Sequence, residues 1–490
     1  MIRSGGNAKR RTLHRLGWFA NGDRLDVAGV ANRLAAAGGN VWRCQQPSGA
    51  AEAGDYIVEI GSEAAQALRG AGIAVEPWRG ARPKGARRIK RAGVAVLAGK
   101  ASAYPYYGYY ALTLARLGYA YAPVDGAEIA AGALDGENVA VLPGGFSNWG
   151  LDAKEESSGA DAAFRRFLGG RGAALGSCGG AYYLSRGRPA WLGVADARPV
   201  FTQEYLRTGV GVVTCALAEG PLRLGLPPTL EIPYFHGPVH DAVGAGCTPL
   251  ARFSEFYGHG RLFIDNPLSE ETFARHMQGR IAALRASGPR GDAILFSPHP
   301  EMGDLLRKYM ALETYISRYL PIRGETVMRE TLASYTPSES RSFLMVLNAV
   351  DDLLQNARDA GTRERASVPG DVAGGKKMLA ETWQARAALF KPSRGDIAWL
   401  ERHILSGLTP RMAAAAGRLG DLLTRAAESG GDGPRIARSF AILIDHICAS
   451  WGDTPQRRPA ELLLELELAV LLMEAFVRLS ELHILVSAHD

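Results

Sequence analysis

Four short apolar runs in the middle of the chain constrain its fold more than any other feature. None contains a charged residue, and they cover residues 93–98, 139–142, 173–175 and 293–296. Apolar runs of this length without polar alternation are typical of strands that are buried on both faces of a parallel sheet. Helical patterns at 110–117 and 161–168 separate the first three runs. Strand alternating with helix predicts a flavodoxin-like, doubly wound α/β domain.

A chain of 490 residues is expected to form about three domains. Strand patterns at 40–44, 55–60 and 73–75, with helices between them, indicate a small N-terminal α/β domain over residues 10–80. Residues 81–91 are basic and are interpreted as a linker. A solvated connector is favoured there over an anion-binding segment, because no aromatic residues accompany the charges.

The central α/β domain is predicted to span residues 92–305, and residues 306–490 show only helical periodicity. An all-α C-terminal bundle is expected for this last part. Its leucine-rich segment 462–472 has two interpretations, burial within the bundle or a dimer face, and burial is favoured. A protein partner or self-association through this bundle is the alternative.

Composition excludes several classes of protein. The 56 basic and 50 acidic residues give a net charge of +6, which does not indicate nucleic-acid or membrane binding in a chain of this length. Five scattered cysteines without a CxxC pair predict neither a disulfide framework nor a zinc site. No secretion signal and no apolar run of about 18 residues is seen, so a cytoplasmic protein without cofactor or metal is expected.

The segment Gly176-Ser-Cys-Gly-Gly180 has the pattern of a nucleophile elbow with cysteine at its centre. It directly follows one of the apolar runs, and a helix is predicted to begin just after Cys178. The positive end of that helix favours the thiolate. The backbone N–H of Gly179 is placed to stabilise an oxyanion. The alternative is a glycine-rich loop that carries an incidental buried cysteine.

A second motif, His299-Pro-Glu301, follows the run 293–296. The carboxyl ends of parallel strands meet at one edge of a sheet, so His299 is expected on the same edge as Cys178. There a histidine can accept the thiol proton and later protonate the leaving group. Glu301 can hold the imidazole in the required tautomer. Together the two motifs predict a thiol active site.

The motifs Pro143-Gly-Gly145, Gly176–Gly180 and His299–Glu301, in this order, resemble class I glutamine amidotransferase-like domains. The most similar version is the one related to the N-terminal region of biotin–protein ligases. The resemblance covers residues 92–305. It implies Cys178 as nucleophile, His299 as base, Glu301 as orienting carboxylate, and an oxyanion hole formed by the amides of Gly145 and Gly179.

One position departs from that family. Its glutaminase members usually carry glutamine four residues after the cysteine, where this chain has Tyr182. A tyrosine cannot reproduce the paired donor and acceptor of a primary amide. Glutamine is therefore not established as the substrate by the resemblance.

Further substrate-binding candidates lie near the ends of predicted strands. The tyrosine run 104–110 can form an aromatic wall, and ordinary helix packing is the alternative. A Gly-Pro turn of the kind that lines the pocket in the resembling family follows another predicted strand. The candidates are Gly144, Tyr182, Tyr104, Tyr107, His236 and Gly237. A metal site at His236 and His240 is disfavoured, because no third ligand is evident.

Two functions from different classes follow. The favoured one is an amidase or amidotransferase-like enzyme that acts on a small-molecule or peptidic amide through a thioester. The alternative is a catalytically silent protein that binds a small molecule and contacts a partner through its helical C-terminal domain. A redox or glyoxalase-like role is a weaker third, because proteins of that kind usually lack the His-Pro-Glu motif.

Overall fold

The N-terminal part of the chain forms a sheet of its own. The computed structural model describes residues 11–17, 24–102, 106–145, 150–200, 210–258, 264–315, 325–361, most of 404–418, 433–452 and 459–487. The N-terminal strands are β1 (Thr12–Leu16), β2 (Val41–Arg43), β3 (Tyr56–Ile60), β4 (Val75–Pro77) and β5 (Arg87–Arg88). They pair antiparallel in the order β4–β1–β3–β2–β5. Helices α1 (Arg24–Ala36) and α2 (Ser62–Gly70) pack against them.

Strands β2, β3 and β4 correspond to the three predicted strands, whereas β1 and β5 were not predicted. The predicted linker 81–91 contains β5, which pairs with β2. Lys90 Nζ donates hydrogen bonds to the carbonyl oxygens of Gln355 and Ala357, at 3.2 and 3.3 Å. The basic segment is thus folded against the rest of the protein.

Among the described residues, eleven strands form the central sheet. They are β6 (Val94–Leu97), β7 (Tyr121–Val124), β8 (Val139–Leu142), β9 (Ala173–Ser177), β10 (Ala197–Pro199), β11 (Val210–Leu217), β12 (Thr229–Phe235), β13 (His240–Val243), β14 (Cys247–Phe256), β15 (Ile281–Gly288) and β16 (Gly291–Phe296). Five strands run parallel in the spatial order β7–β6–β8–β9–β16. This is the flavodoxin-like order.

The other part of the sheet is antiparallel, which the sequence patterns did not indicate. Strands β15, β14, β11 and β12 follow β16 in this order, and β10 and β13 pair beside them. The turn between β15 and β16 contains only Pro289 and Arg290. A connection of two residues can join only antiparallel strands. The central domain therefore has a mixed sheet.

The helices that follow α2 are α3 (Tyr106–Arg116), α4 (Gly126–Ala130), α5 (Leu151–Glu155), α6 (Ala160–Gly169), α7 (Gly179–Leu184), α8 (Glu270–His276), α9 (Gly303–Thr314), α10 (Glu325–Ala333), α11 (Phe343–Asn356), α12 (Gly433–Gly452) and α13 (Pro459–Ser487). Successive side chains of the parallel strands enter two cores on opposite faces of the sheet. Val94 and Val96 contribute to a core with α3, α11 and α13. Ala95 and Leu97 contribute to a core with α4, α6 and α7.

The described part of residues 306–490 contains helices and no strand, as predicted for that part. These helices pack on the preceding residues, and α13 lies against α1, α3 and α9. Helix α13 is mostly apolar, and its residues 463–472 are all buried, including Glu465 and Glu467. Its buried Glu467 receives hydrogen bonds from Lys308 Nζ at 2.6 Å and from the Tyr309 hydroxyl at 2.6 Å. Within the described ranges, no helix is both long enough and apolar enough to cross a membrane.

Candidate active site

Cys178 occupies a sharp turn between β9 and α7. Its backbone has φ 50° and ψ −108°, and a positive φ is uncommon for any residue other than glycine. A Cβ atom on Gly176 would lie 2.7 Å from the backbone of Gly180, and one on Gly180 would lie 2.0 Å from the carbonyl oxygen of Leu142. Only glycine fits at these two positions. This is the strand–turn–helix arrangement of a nucleophile elbow.

His299 and Glu301 follow β16, the strand beside β9. Ser177 and Phe296 are partners in the parallel register, so the two strands end side by side at one edge of the sheet. His299 Nδ1 lies 2.6 Å from Glu301 Oε1, and both side chains are fully buried. The structure brings this pair together beside Cys178.

The electrostatics of His299 depend on both neighbours. Burial lowers the pKa of His299, but the Glu301 carboxylate and the Cys178 sulfur together raise it to about 10. Apart from Cys178, the buried Nε2 atom has no hydrogen-bond partner among the described residues. The Cys178 thiol donates a hydrogen bond of 3.0 Å to the carbonyl oxygen of Phe235. The Cys178 sulfur therefore has two neighbours within hydrogen-bond reach, the carbonyl oxygen of Phe235 and the His299 imidazole.

Three hydroxyl groups that sequence reasoning did not identify lie behind Glu301. Ser177 Oγ donates to Glu301 Oε2 at 3.1 Å, and the Tyr110 hydroxyl is hydrogen-bonded to Ser177 Oγ. Thr113 Oγ1 donates to the backbone carbonyl of Glu301 at 3.2 Å. All three side chains are fully buried. Helix α3 thus supports the backbone of Glu301 through Thr113, and it supports the carboxylate only by way of Ser177.

Tyr106 covers the other side of the imidazole. Its ring stacks on His299, with 5.6 Å between the centroids and 24° between the planes, and it meets Phe235 edge-on at 6.1 Å. A Cβ atom on Gly144 would lie 2.8 Å from the Tyr106 ring, so this glycine permits the close contact. Burial, and then the charge of Cys178, raise the pKa of Tyr106 well above its usual value. Its hydroxyl therefore stays protonated.

The tyrosines chosen from the sequence have other positions. Tyr104 lies outside the described residues. Tyr107 is fully buried, and its hydroxyl is 2.6 Å from Ser439 Oγ of α12, so it is directed at the C-terminal helices. Tyr182 is a buried residue of α7, and its ring packs on Trp191 with 5.6 Å between the centroids. Tyr106 is the described tyrosine of the run 104–110 that contacts His299.

The turn after β12 lies over the end of β16. A Cβ atom on Gly237 would be 1.8 Å from the carbonyl oxygen of Ser297, so this position requires glycine. His236 adopts a φ of 54°, and its ring meets Phe235 edge-on at 5.1 Å. The predicted candidates His236 and Gly237 thus directly follow Phe235, whose carbonyl oxygen accepts the thiol hydrogen bond.

The glycines predicted for the oxyanion hole follow β8 and β9. Gly145 has a φ of 120°, and a Cβ atom there would lie 2.5 Å from the carbonyl oxygen of Ala101. Gly179 is the first residue of α7. Within the described part of the chain, neither backbone N–H donates a hydrogen bond to another backbone group.

His240, the other residue of the metal alternative, is buried and its Nε2 lies 3.2 Å from Ser185 Oγ. Burial lowers the pKa of His240 to about 4. Among the described residues, no group of three or more His, Cys, Asp or Glu side chains has the arrangement of a metal site.

No protein-family model matches the chain, and no curated protein matches it. Solved structures similar to part of it include a glutamine amidotransferase from Thermotoga maritima, with 13% identity and a TM-score of 0.31, which covers 54% of this chain and 98% of its own. Another glutamine amidotransferase has 21% identity and a TM-score of 0.30, covering 45% of this chain and 97% of its own. A protein described as ThuA-like from Bacteroides uniformis has 10% identity and a TM-score of 0.33, and the match covers 57% of this chain and 97% of that protein.

Proposed function

We propose that the protein is an enzyme in which Cys178 attacks the carbonyl carbon of an amide. One observation carries this proposal: a cysteine held at a positive φ lies beside a buried imidazole that is fixed by a buried carboxylate. Strained backbone of this kind is concentrated at functional sites. A histidine oriented by a third group is the arrangement that activates a nucleophile.

The chemistry follows the usual acyl-transfer sequence. His299 Nε2 holds the proton of Cys178, as its raised pKa favours, and the deprotonated sulfur forms a bond to the carbonyl carbon. The carbonyl oxygen becomes an anion, which the N–H groups of Gly145 and Gly179 are proposed to stabilise. The C–N bond then breaks, and His299 returns the proton to the leaving amine. Water or another acceptor finally attacks the thioester and releases the acyl group.

The substrate is proposed to be a small-molecule or peptidic amide other than free glutamine. Tyr182 packs in the core on Trp191, and a phenol cannot supply the paired donor and acceptor that a primary amide requires. Tyr106 and Phe235 are aromatic and partly exposed beside the imidazole. These rings offer an apolar surface to the part of the substrate next to the carbonyl.

The proposal is tested with electrophiles that form stable bonds to a reactive thiol. The full chain is treated with a chloroacetyl amide and with a chloroketone analogue of glutamine, and adducts are measured by intact mass and peptide mapping. We expect one adduct, at Cys178, with the chloroacetyl amide. The Cys178→Ala variant should give no adduct, and His299→Ala should react at least about 100-fold more slowly, the usual contribution of a general base.

Absence of a Cys178 adduct across a panel of such electrophiles would contradict the proposal. That result would favour the silent binding protein instead. An adduct of the glutamine analogue that forms as fast as that of the chloroacetyl amide would contradict the exclusion of glutamine.

A further inference from the structure

We infer that Ser177 and Tyr110 are positioning residues of the Cys178 site, because a buried chain of hydrogen bonds runs from Tyr110 through Ser177 to Glu301 and holds that carboxylate on His299. This inference rests on the proposed function. The hydrogen bonds of these two side chains lead to Glu301 and not to the Cys178 sulfur, so both residues act through Glu301.

Counting donors and acceptors fixes the direction of the chain. An ionised carboxylate only accepts hydrogen bonds, so the Ser177 hydroxyl donates its one proton to Glu301 Oε2, at 3.1 Å. Ser177 Oγ must then accept from the Tyr110 hydroxyl, with which it is hydrogen-bonded. The other carboxylate oxygen, Oε1, is left to His299 Nδ1 at 2.6 Å. Nδ1 therefore carries the proton, and Nε2 is the atom that exchanges a proton with Cys178.

The whole chain is shielded from water. Tyr110, Ser177, His299 and Glu301 all have 0% exposure, so solvent cannot replace a missing partner. Hydrogen bonds in such surroundings are strong when complete, and a lost partner is costly. Burial, and then the charge of Glu301, raise the pKa of Tyr110 well above its usual value. Tyr110 therefore remains a donor over the whole pH range of an assay.

Helix α3, which carries Tyr110, is held in place by the C-terminal helices α12 and α13. A Cβ atom on Gly108 would lie 2.5 Å from Leu443 of α12 and 3.0 Å from Leu468 of α13, so the three helices are in close contact. One turn after Tyr110, Thr113 also bonds the Glu301 backbone. The donor end of the chain is thus anchored by the C-terminal helices, and the carboxylate has little freedom to rotate.

The test is the pH dependence of Cys178 carboxymethylation by iodoacetate, followed residue by residue with peptide mass spectrometry. An anionic reagent is attracted by the imidazolium, so its rate with wild type should fall as the pH rises through the raised pKa of His299. In Ser177→Ala and Tyr110→Phe, the carboxylate is held less firmly and supports the imidazolium less. In Ser177→Ala, the pH at which the carboxymethylation rate falls (the falling limb of the profile) should be lower by about one unit. The maximal rate of this variant should be about tenfold lower than that of wild type.

Two further variants make the test specific. If Tyr110 acts only through Ser177, the double variant should equal Ser177→Ala, because residues in one chain are not additive. Tyr121→Phe is the matched control: it also removes a buried tyrosine hydroxyl, one that bonds Ser439 Oγ at 2.6 Å away from the triad. Its profile should match wild type. Tyr110→Phe is nearly isosteric and carries the test if Ser177→Ala does not fold.

The outcomes separate the two claims. An unmoved falling limb in folded Tyr110→Phe and Ser177→Ala overturns the inference and leaves the nucleophile in place. If the losses of carboxymethylation rate in Ser177→Ala and Tyr110→Phe add up in the double variant, Tyr110 does not act through Ser177. If wild-type Cys178 is not carboxymethylated at all, the proposed function fails and the inference fails with it.

Discussion

Replacing Gly180 by alanine tests how the elbow is built. The added Cβ atom would lie 2.0 Å from the carbonyl oxygen and 2.7 Å from the Cβ atom of Leu142 in β8, whereas real Cβ atoms essentially never approach a neighbour closer than 3.0 Å. The first turn of α7 must therefore move about 1 Å away from β8. The obstacle is backbone, which cannot turn aside as a flexible side chain does.

The expected cost has two parts. Overpacking of this kind destabilises by about 1–3 kcal/mol, and we expect the upper end because the first turn of α7 must move away from the backbone of β8. A displacement of about 1 Å at the elbow should also slow alkylation of Cys178 about 100-fold. Urea unfolding followed by circular dichroism measures the first effect. The rate of chloroacetamide addition, resolved for each cysteine, measures the second.

Gly70→Ala is the matched control. Gly70 is the last residue of α2, and a Cβ atom there meets nothing within 4 Å. This change should leave the alkylation rate unaltered and the stability the same or about 0.5 kcal/mol higher. If Gly180→Ala keeps wild-type stability to within about 0.5 kcal/mol and wild-type reactivity, then the close contact between α7 and β8 is not what holds Cys178 in place.

Two further predictions concern buried ion pairs. The pKa of His299 is about 10 in the folded protein, against an ordinary value of 6.5. The ion pair of His299 with Glu301 therefore stabilises the folded state fully below about pH 6.5, and this stabilisation is lost as the pH rises toward 10. The loss in free energy of unfolding caused by Glu301→Gln, measured by urea unfolding, should become smaller as the pH rises across this range. A loss that does not change with pH would contradict the raised pKa of His299. Arg43→Met should destabilise by about 3–5 kcal/mol, since Arg43 is 2.6 Å from the largely buried Asp351. Adding Asp351→Leu should recover most of that loss in the same assay, and no recovery would show that the pair is not the cause.

The parallel half of the fold could be predicted because its signal is local. The runs are short, apolar and uncharged, and four of the five parallel strands, β6, β8, β9 and β16, coincide with them. The antiparallel half has no such signal. In β14, for example, Arg252 and Glu255 are polar, and the choice of partner strands depends on distant residues. The same holds for β1, whose partners β3 and β4 lie more than 40 residues further along the chain.

The position of Cys178, His299 and Glu301 at one edge of the sheet could be predicted, because each comes shortly after an apolar run. The supporting groups could not, since the tyrosine run 104–110 has no apolar and polar faces from which its helical phase could be determined. Tyr106 and Tyr110 are four residues apart and share the face of α3 that meets the site. Tyr107 lies on a different face and meets α12. Ser177 has a usable signal in retrospect, a hydroxyl at the last position of a buried strand.

The central claim, that His299 activates Cys178, is tested most directly by one rate comparison within a single molecule. Chloroacetamide addition is measured at Cys178 and at Cys247, which is partly exposed and whose thiol has a pKa raised by burial. At pH 7, Cys178 should react at least about 100-fold faster than Cys247, and His299→Ala should remove this advantage. Equal rates at the two cysteines, or an advantage that survives in His299→Ala, would contradict the account.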